Sequence, residues 1–161
     1  MVQNPPPGAG TRATRQRAAR EAAATPGADR VRVNDPDRTM ANILHVATAE
    51  FADKGLAGAR IDEIAALTST SKRMIYYYFG SKEGLYVAVL EDAYRRIRRI
   101  ESELHLEDLA PEQALRTLVG FTVDYQLANP DFIRLVMNEN MHRGEYITQS
   151  ATIQELNIPV I

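Results

Sequence analysis

Lys72, Arg73 and Lys82 place three positive charges in the stretch from Thr68 to Lys82, which holds no acidic residue. Cations at this spacing, with no nucleophile or carboxylate among them, bind anions rather than transfer protons or acyl groups, and phosphate is the anion that rewards several of them together. Taken alone the same cluster is equally well a solvated face. No other part of the chain offers a catalytic centre. His45, His105 and His142 fall in separate segments without metal-ligand spacing, no Gly-rich phosphate loop is present, and there is no cysteine. Thiolate metal sites, disulfides and cysteine nucleophiles are therefore excluded. The sequence predicts a binding protein and not an enzyme, with no catalytic residue, no metal site and no cofactor.

The elements that must position these cations are helices. Asp35-Pro36-Asp37 supplies a cap residue and a proline at a first helical position. Met40, Ile43, Leu44, Ala47 and Phe51 follow at helical spacing, and Gly55 marks the stop. A short helix from about Ile61 to Leu67 turns Ile64 and Ala65 inward. Thr68-Ser69-Thr70-Ser71 disfavours a helix interior and favours a turn and a cap. A third helix runs from Lys72 to Phe79. Gly80 ends it, and Ser81 caps a long fourth helix carrying Leu85, Val89, Ala93, Ile97, Ile100 and Leu104. Further helices are expected from Pro111 to Ala128, from Phe132 to His142 and from Glu145 to about Leu156. No alternating strand pattern of useful length appears, so the class is all-α.

The domain plan divides the 161 residues into three parts. Residues 1–36 read as a disordered Arg/Ala/Pro-rich tail, in which Arg12, Arg15, Arg17 and Arg20 form a basic arm or a solvated linker. Residues 37–84 form a three-helix unit and residues 85–161 a second helical region. The net charge of −2 means that any nucleic-acid site is a local patch and not a property of the whole surface. No apolar run approaches the ~20 residues of a membrane helix, and no secretory signal core is present. The expected location is the cytoplasm.

Two short helices joined by a tight polar turn and braced by a first helix make a DNA-reading arrangement. The second helix of the pair presents its N-terminal residues to base edges, here Lys72, Arg73 and Met74. Ile75, Tyr78 and Phe79 form the set that docks this helix on its partners, which leaves Tyr76 and Tyr77 pointing outward. Ile64-Ala65, Ser71-Lys72 and the run from Ile75 through Tyr76, Tyr77, Tyr78, Phe79, Gly80, Ser81, Lys82, Glu83 and Gly84 to Leu85 resemble the DNA-binding domain of the tetracycline-repressor (TetR/AcrR) family. Ala49-Glu50-Phe51 and Lys54-Gly55 resemble that family's first helix.

The resemblance implies a sequence-specific, ligand-responsive transcriptional repressor acting on double-stranded DNA. It implies base contacts from Lys72, Arg73 and Met74, and backbone contacts from Tyr76, Tyr78 and Lys82. Tyr78 also reads as a core aromatic for most of its ring. Two positions depart from the pattern. Ser69 stands where the family has a glycine of left-handed conformation, and Arg60 stands where a Thr or Ser caps the second helix.

For residues 85–161 the resemblance implies a ligand-binding and dimerisation domain that takes a small-molecule effector. Phe121 and Tyr125, and Met137 and Met141, are the i, i+4 pairs that suit a pocket wall; simple core packing is the plainer reading of the same residues. The full-length family is expected to be homodimeric through two long C-terminal helices. This sequence stops before them, so the expectation here is an incomplete, C-terminally truncated domain with no such dimer. A helical protein-interaction module, or a fragment that no longer binds operator DNA tightly, is the alternative.

Overall fold

The structure is a computed structural model that describes residues 35–156. Residues 1–34 of the proposed tail, with its arginines, lie outside the described residues; its last two, Asp35 and Pro36, belong to the start of the first helix. Among the described residues seven α-helices follow in order: α1 Pro36–Gly58, α2 Ile61–Leu67, α3 Lys72–Phe79, α4 Lys82–Ser102, α5 Pro111–Ala128, α6 Pro130–Met141 and α7 Ala151–Leu156. One 3-10 turn, Leu106–Asp108, precedes α5. The described residues contain no strand, and the all-α expectation holds.

The local signals act where the sequence places them. Asp35 Oδ1 accepts from the backbone N–H groups of Asp37 and Arg38, each at 3.2 Å, and Pro36 opens α1. Gly55 breaks α1 with φ 65° and ψ 176°, a conformation that a side chain would strain. Asn129 closes α5, where its side-chain amide donates to the Tyr125 carbonyl at 2.9 Å, and Pro130 begins α6.

Ile43, Ala47 and Phe51 put one stripe of α1 fully out of solvent. They meet Ile61 and Ile64 of α2, Ile75 of α3 and Leu85, Tyr86, Val89 and Leu90 of α4 in one core. Leu135 of α6 and Ile153 of α7 belong to the same core. Each fully buried aliphatic or aromatic side chain contributes about 1.5–3 kcal/mol. The proposed division at residues 84 and 85 falls in the first turn of α4, so that helix carries core residues directly from the helix-turn-helix into the C-terminal part. On α5, Leu115, Val119, Val123 and Leu127 recur every four residues and stay exposed.

The helix expected from Glu145 is a correction. Residues 142–149 form successive turns, and helix returns only at Ala151. Arg143 and Gly144 take positive φ values of 59° and 70°. The cause lies one turn earlier. The Glu139 carboxylate takes the N–H groups of Tyr146 and Ile147, so these donors cannot bond four residues back. Ser150 then caps α7, its Oγ accepting from the Ile153 N–H at 3.1 Å.

Ser69 has φ 52°, the left-handed conformation expected at that turn. Because glycine reaches this region without strain, Ser69→Gly should stabilise the fold by about 0.5–1 kcal/mol, net of glycine's greater freedom in the unfolded chain. Thermal melting checks this; a clear fall in melting temperature would show the serine to be unstrained.

Candidate nucleic-acid interface

The α2–α3 pair is held by its turn. Thr68 Oγ1 donates back to the Ile64 carbonyl at 2.7 Å, and the Thr70 N–H reaches the Ala65 carbonyl at 3.0 Å. Ser71 starts α3, its Oγ accepting from the Met74 N–H at 3.2 Å. Ile75 is fully buried beneath α3, and Tyr78 and Phe79 pack partly buried against the core. One face of α3 is therefore fixed, and the opposite face, with Lys72, Arg73, Tyr76 and Tyr77, is exposed. Met74 is half-buried. The Tyr77 and Tyr78 rings meet edge to face at 5.4 Å.

The three cations differ in what holds them. Lys72 Nζ lies 2.5 Å from Asp62 Oδ1, an acid that precedes the Thr68–Lys82 stretch in sequence. Lys82 Nζ donates to the Ala57 carbonyl at 3.3 Å, which ties the start of α4 to the last turn of α1. Arg73 has no ion pair or side-chain hydrogen bond to another described residue. The start of α4 is tightly built: Ser81 Oγ accepts from the Gly84 N–H at 2.9 Å, and a Cβ on Gly84 would stand 2.0 Å from the Phe79 carbonyl oxygen.

Arg60 precedes α2 and offers no side-chain cap, as its chemistry requires. Asp62 and Glu63 in the first turn answer the helix dipole instead. The Arg60 N–H is bound by Glu50 Oε1 at 3.0 Å, and both Glu50 oxygens also accept from Lys54 Nζ. Burial pushes the Glu50 carboxyl up, but the hydrogen bonds from Lys54 and Arg60 and the charges of Lys54 and Lys82 outweigh it, so the net shift is downward. A lowered folded-state value contributes stability above the ordinary carboxylate range, and that contribution is lost as pH falls through the lowered value.

Glu50, named in the sequence only as part of the Ala49-Glu50-Phe51 resemblance, is a buried acid, and a second one, Glu139, has no place in the sequence-based expectations. Glu139 is fully buried, and its Oε2 accepts from the Tyr86 hydroxyl at 3.2 Å. Both acids occupy apolar-face positions of their helices: Glu139 follows Phe132 and Leu135 at the spacing of one face. An acid on an apolar stripe was the available signal. Tyr86 sits between the rings of Phe51 and Tyr146, at 5.1 and 5.4 Å. Burial first, then the Glu139 charge and hydrogen bond, raise its phenol well above the ordinary range.

The four residues expected to wall a pocket do not come together. The Phe121 and Tyr125 rings lie 5.7 Å apart, tilted by 40°, and Tyr125 continues edge to face to Phe132 at 5.5 Å. Tyr125 borders a cavity of about 190 Å³ with His45, Arg96, Phe132 and Leu135. Met137 and Met141 are 62% and 79% exposed. The reason is helical phase: Phe132, Leu135 and Glu139 face inward, which puts the two methionines on the far side of α6. His105, Glu107 and Asp108 bring ligand atoms within 4.8 Å of one another, but all three are exposed. Among the described residues no helix is long and apolar enough to cross a membrane.

Comparison with known proteins adds to this geometry. Residues 43–89 match the family model described as bacterial regulatory proteins, tetR family, and residues 111–161 match the tetracyclin repressor-like C-terminal domain. The chain is 42% identical over 127 residues to the HTH-type transcriptional repressor NicS of Pseudomonas putida, covering 79% of this chain and 60% of that protein. It is 36% identical over 110 residues to the HTH-type transcriptional repressor SCO4008 of Streptomyces coelicolor, covering 68% of this chain and 54% of that one. It thus spans little more than half the length of these curated relatives. The solved structure of the putative transcriptional regulator SCO4942 from Streptomyces coelicolor superposes with a TM-score of 0.56 at 33% identity, covering 69% of this chain and 58% of that one. An N-terminal helix-turn-helix and a C-terminal helical region, each matching its own model in the expected order, place the chain in the tetracycline-repressor family of bacterial regulatory proteins.

Proposed function

We propose that the chain is a sequence-specific DNA-binding transcriptional regulator, acting in the cytoplasm as an effector-responsive repressor. The observation that carries this reading is the exposed α3 face, cationic at its N-terminal end and locked from behind by Ile75, Tyr78 and Phe79. The relatives named as transcriptional repressors support it. A helical interaction module is not favoured, since it would leave the cationic end of α3 without a task.

In this reading Arg73 and Met74 face base edges, joined by Lys72 once it leaves Asp62. Tyr76 and the rim of Tyr78 lie against the sugar-phosphate backbone, and Lys82 meets a phosphate at the start of α4, where the dipole also favours an anion. Residues 37–84 form the DNA-binding unit and residues 85–161 the regulatory region. The aromatic group of Phe121 and Tyr125 belongs to the side where a small-molecule effector would enter, and a homodimer would present two such units to a palindromic operator.

Selection of duplexes from a random-sequence pool by this chain tests the reading. Enrichment of one short motif is expected. Recovery of no motif, or of none above the pool's background, contradicts it.

A further inference from the structure

Among the described residues, Asp62 is the acid that forms an ion pair at the cationic end of α3. It lies in the first turn of α2, ten positions before Lys72 in sequence, and reaches it across the α2–α3 angle. Its Oδ1 is 2.5 Å from Lys72 Nζ, and its Oδ2 is 4.0 Å from the Arg60 guanidinium on the other side. The Asp62 and Lys72 side chains are 51% and 52% exposed. An ion pair this open lies within reach of an arriving polyanion.

We propose that Asp62 is an internal counter-ion that occupies Lys72 in the DNA-free protein and withholds it from the phosphates of non-target duplex. The proposal rests on the reading of this surface as a DNA interface. A carboxylate at 2.5 Å offers Lys72 what a phosphate oxygen would offer, so exchanging one for the other gains little. At random sequence Lys72 stays with Asp62, and the surface carries one cation fewer than the sequence suggests. At the right sequence a base edge competes for Lys72, a gain that random sequence does not supply. Asp62 in this way sets discrimination by lowering the background rather than by raising target affinity.

The consequence can be read in counter-ions. Each phosphate neutralised adds about 0.9 to the slope of log affinity against log salt, which is roughly five-fold in affinity near 0.15 M. On a duplex of scrambled sequence, Asp62→Asn should steepen the slope by about one and tighten binding roughly five-fold. Lys72→Ala alone should leave the slope almost unchanged, because Lys72 is not in use there. The double variant should match Lys72→Ala. The unchanged far-ultraviolet circular dichroism expected for substitutions at these exposed positions confirms that the fold is kept.

Steepening by Asp62→Asn that persists in the Lys72→Ala background would mean that Asp62 repels phosphate by its own charge, and the counter-ion role would be wrong. An unchanged slope in Asp62→Asn would overturn it equally. No binding of any duplex by the unsubstituted chain would instead remove the DNA-binding reading itself.

Discussion

Glu139→Ala should destabilise the fold by about 3 kcal/mol or more, a large part of the roughly 5–15 kcal/mol that a domain possesses. The carboxylate is fully buried and serves three donors from two separate segments: the Tyr86 hydroxyl on α4 and the N–H groups of Tyr146 and Ile147 after α6. Removing it orphans all three and opens a void beside Tyr86. Its neighbour Asn138 donates to the Phe51 carbonyl of α1 at 3.3 Å, so the end of α6 is bound to both the first and the fourth helix. Glu139→Gln keeps an acceptor oxygen for the two backbone donors and an amide for Tyr86, and should cost only about 1 kcal/mol. Urea denaturation of the two variants checks the pair. Equal stability of Glu139→Ala and the unsubstituted chain would show that these bonds are not made.

Gly84→Ala should also be costly, against the usual helix preference. Alanine in a helix normally gains about 0.5–1 kcal/mol over glycine. Here the added Cβ would meet the Phe79 carbonyl oxygen at 2.0 Å and the Phe79 carbonyl carbon at 3.3 Å. Both are backbone atoms at the end of α3, so relief requires the α3–α4 joint to open. We expect a net loss of about 1–3 kcal/mol. DNA affinity should fall as well, because α3 would move relative to Lys82. Melting and a duplex titration measure the two effects. A variant as stable as the parent, with unchanged binding, would mean that the joint is not tight.

Much of this architecture could be read from local residue chemistry. Asp35-Pro36, Ser71 and Ser81 act within a few residues of themselves, so the helix starts they set are those observed; the helix expected from Phe132 begins two residues earlier, at Pro130, because the proline takes the first helical position. The left-handed φ of Ser69 is what the family resemblance implies, through the glycine usual at that position, and does not follow from the serine's own chemistry. What sequence alone missed are side chains whose partners are remote. Glu139 reaches Tyr86, which is 53 positions away, and its capture of the Tyr146 and Ile147 N–H groups replaced an expected helix with turns. Asp62 precedes Lys72 by ten positions and sits on another helix, yet it faces Lys72 in space. The methionine pair failed for a different reason. An i, i+4 spacing fixes that Met137 and Met141 share a face of α6 but not which face is buried, and Leu135 with Glu139 claimed the inner one.

The central claim, that α3 and the start of α4 bind DNA, is tested most directly by salt-dependent titration of a selected duplex with Arg73→Ala and Lys82→Ala. Lys82→Ala should weaken binding to all sequences alike and reduce the salt slope by about one, as loss of a phosphate contact requires. Arg73→Ala should cost about 1–3 kcal/mol on the selected duplex and relax preference at one base pair, as loss of a base contact requires. Affinity and slope untouched by both substitutions would contradict the assignment of α3 as the recognition helix.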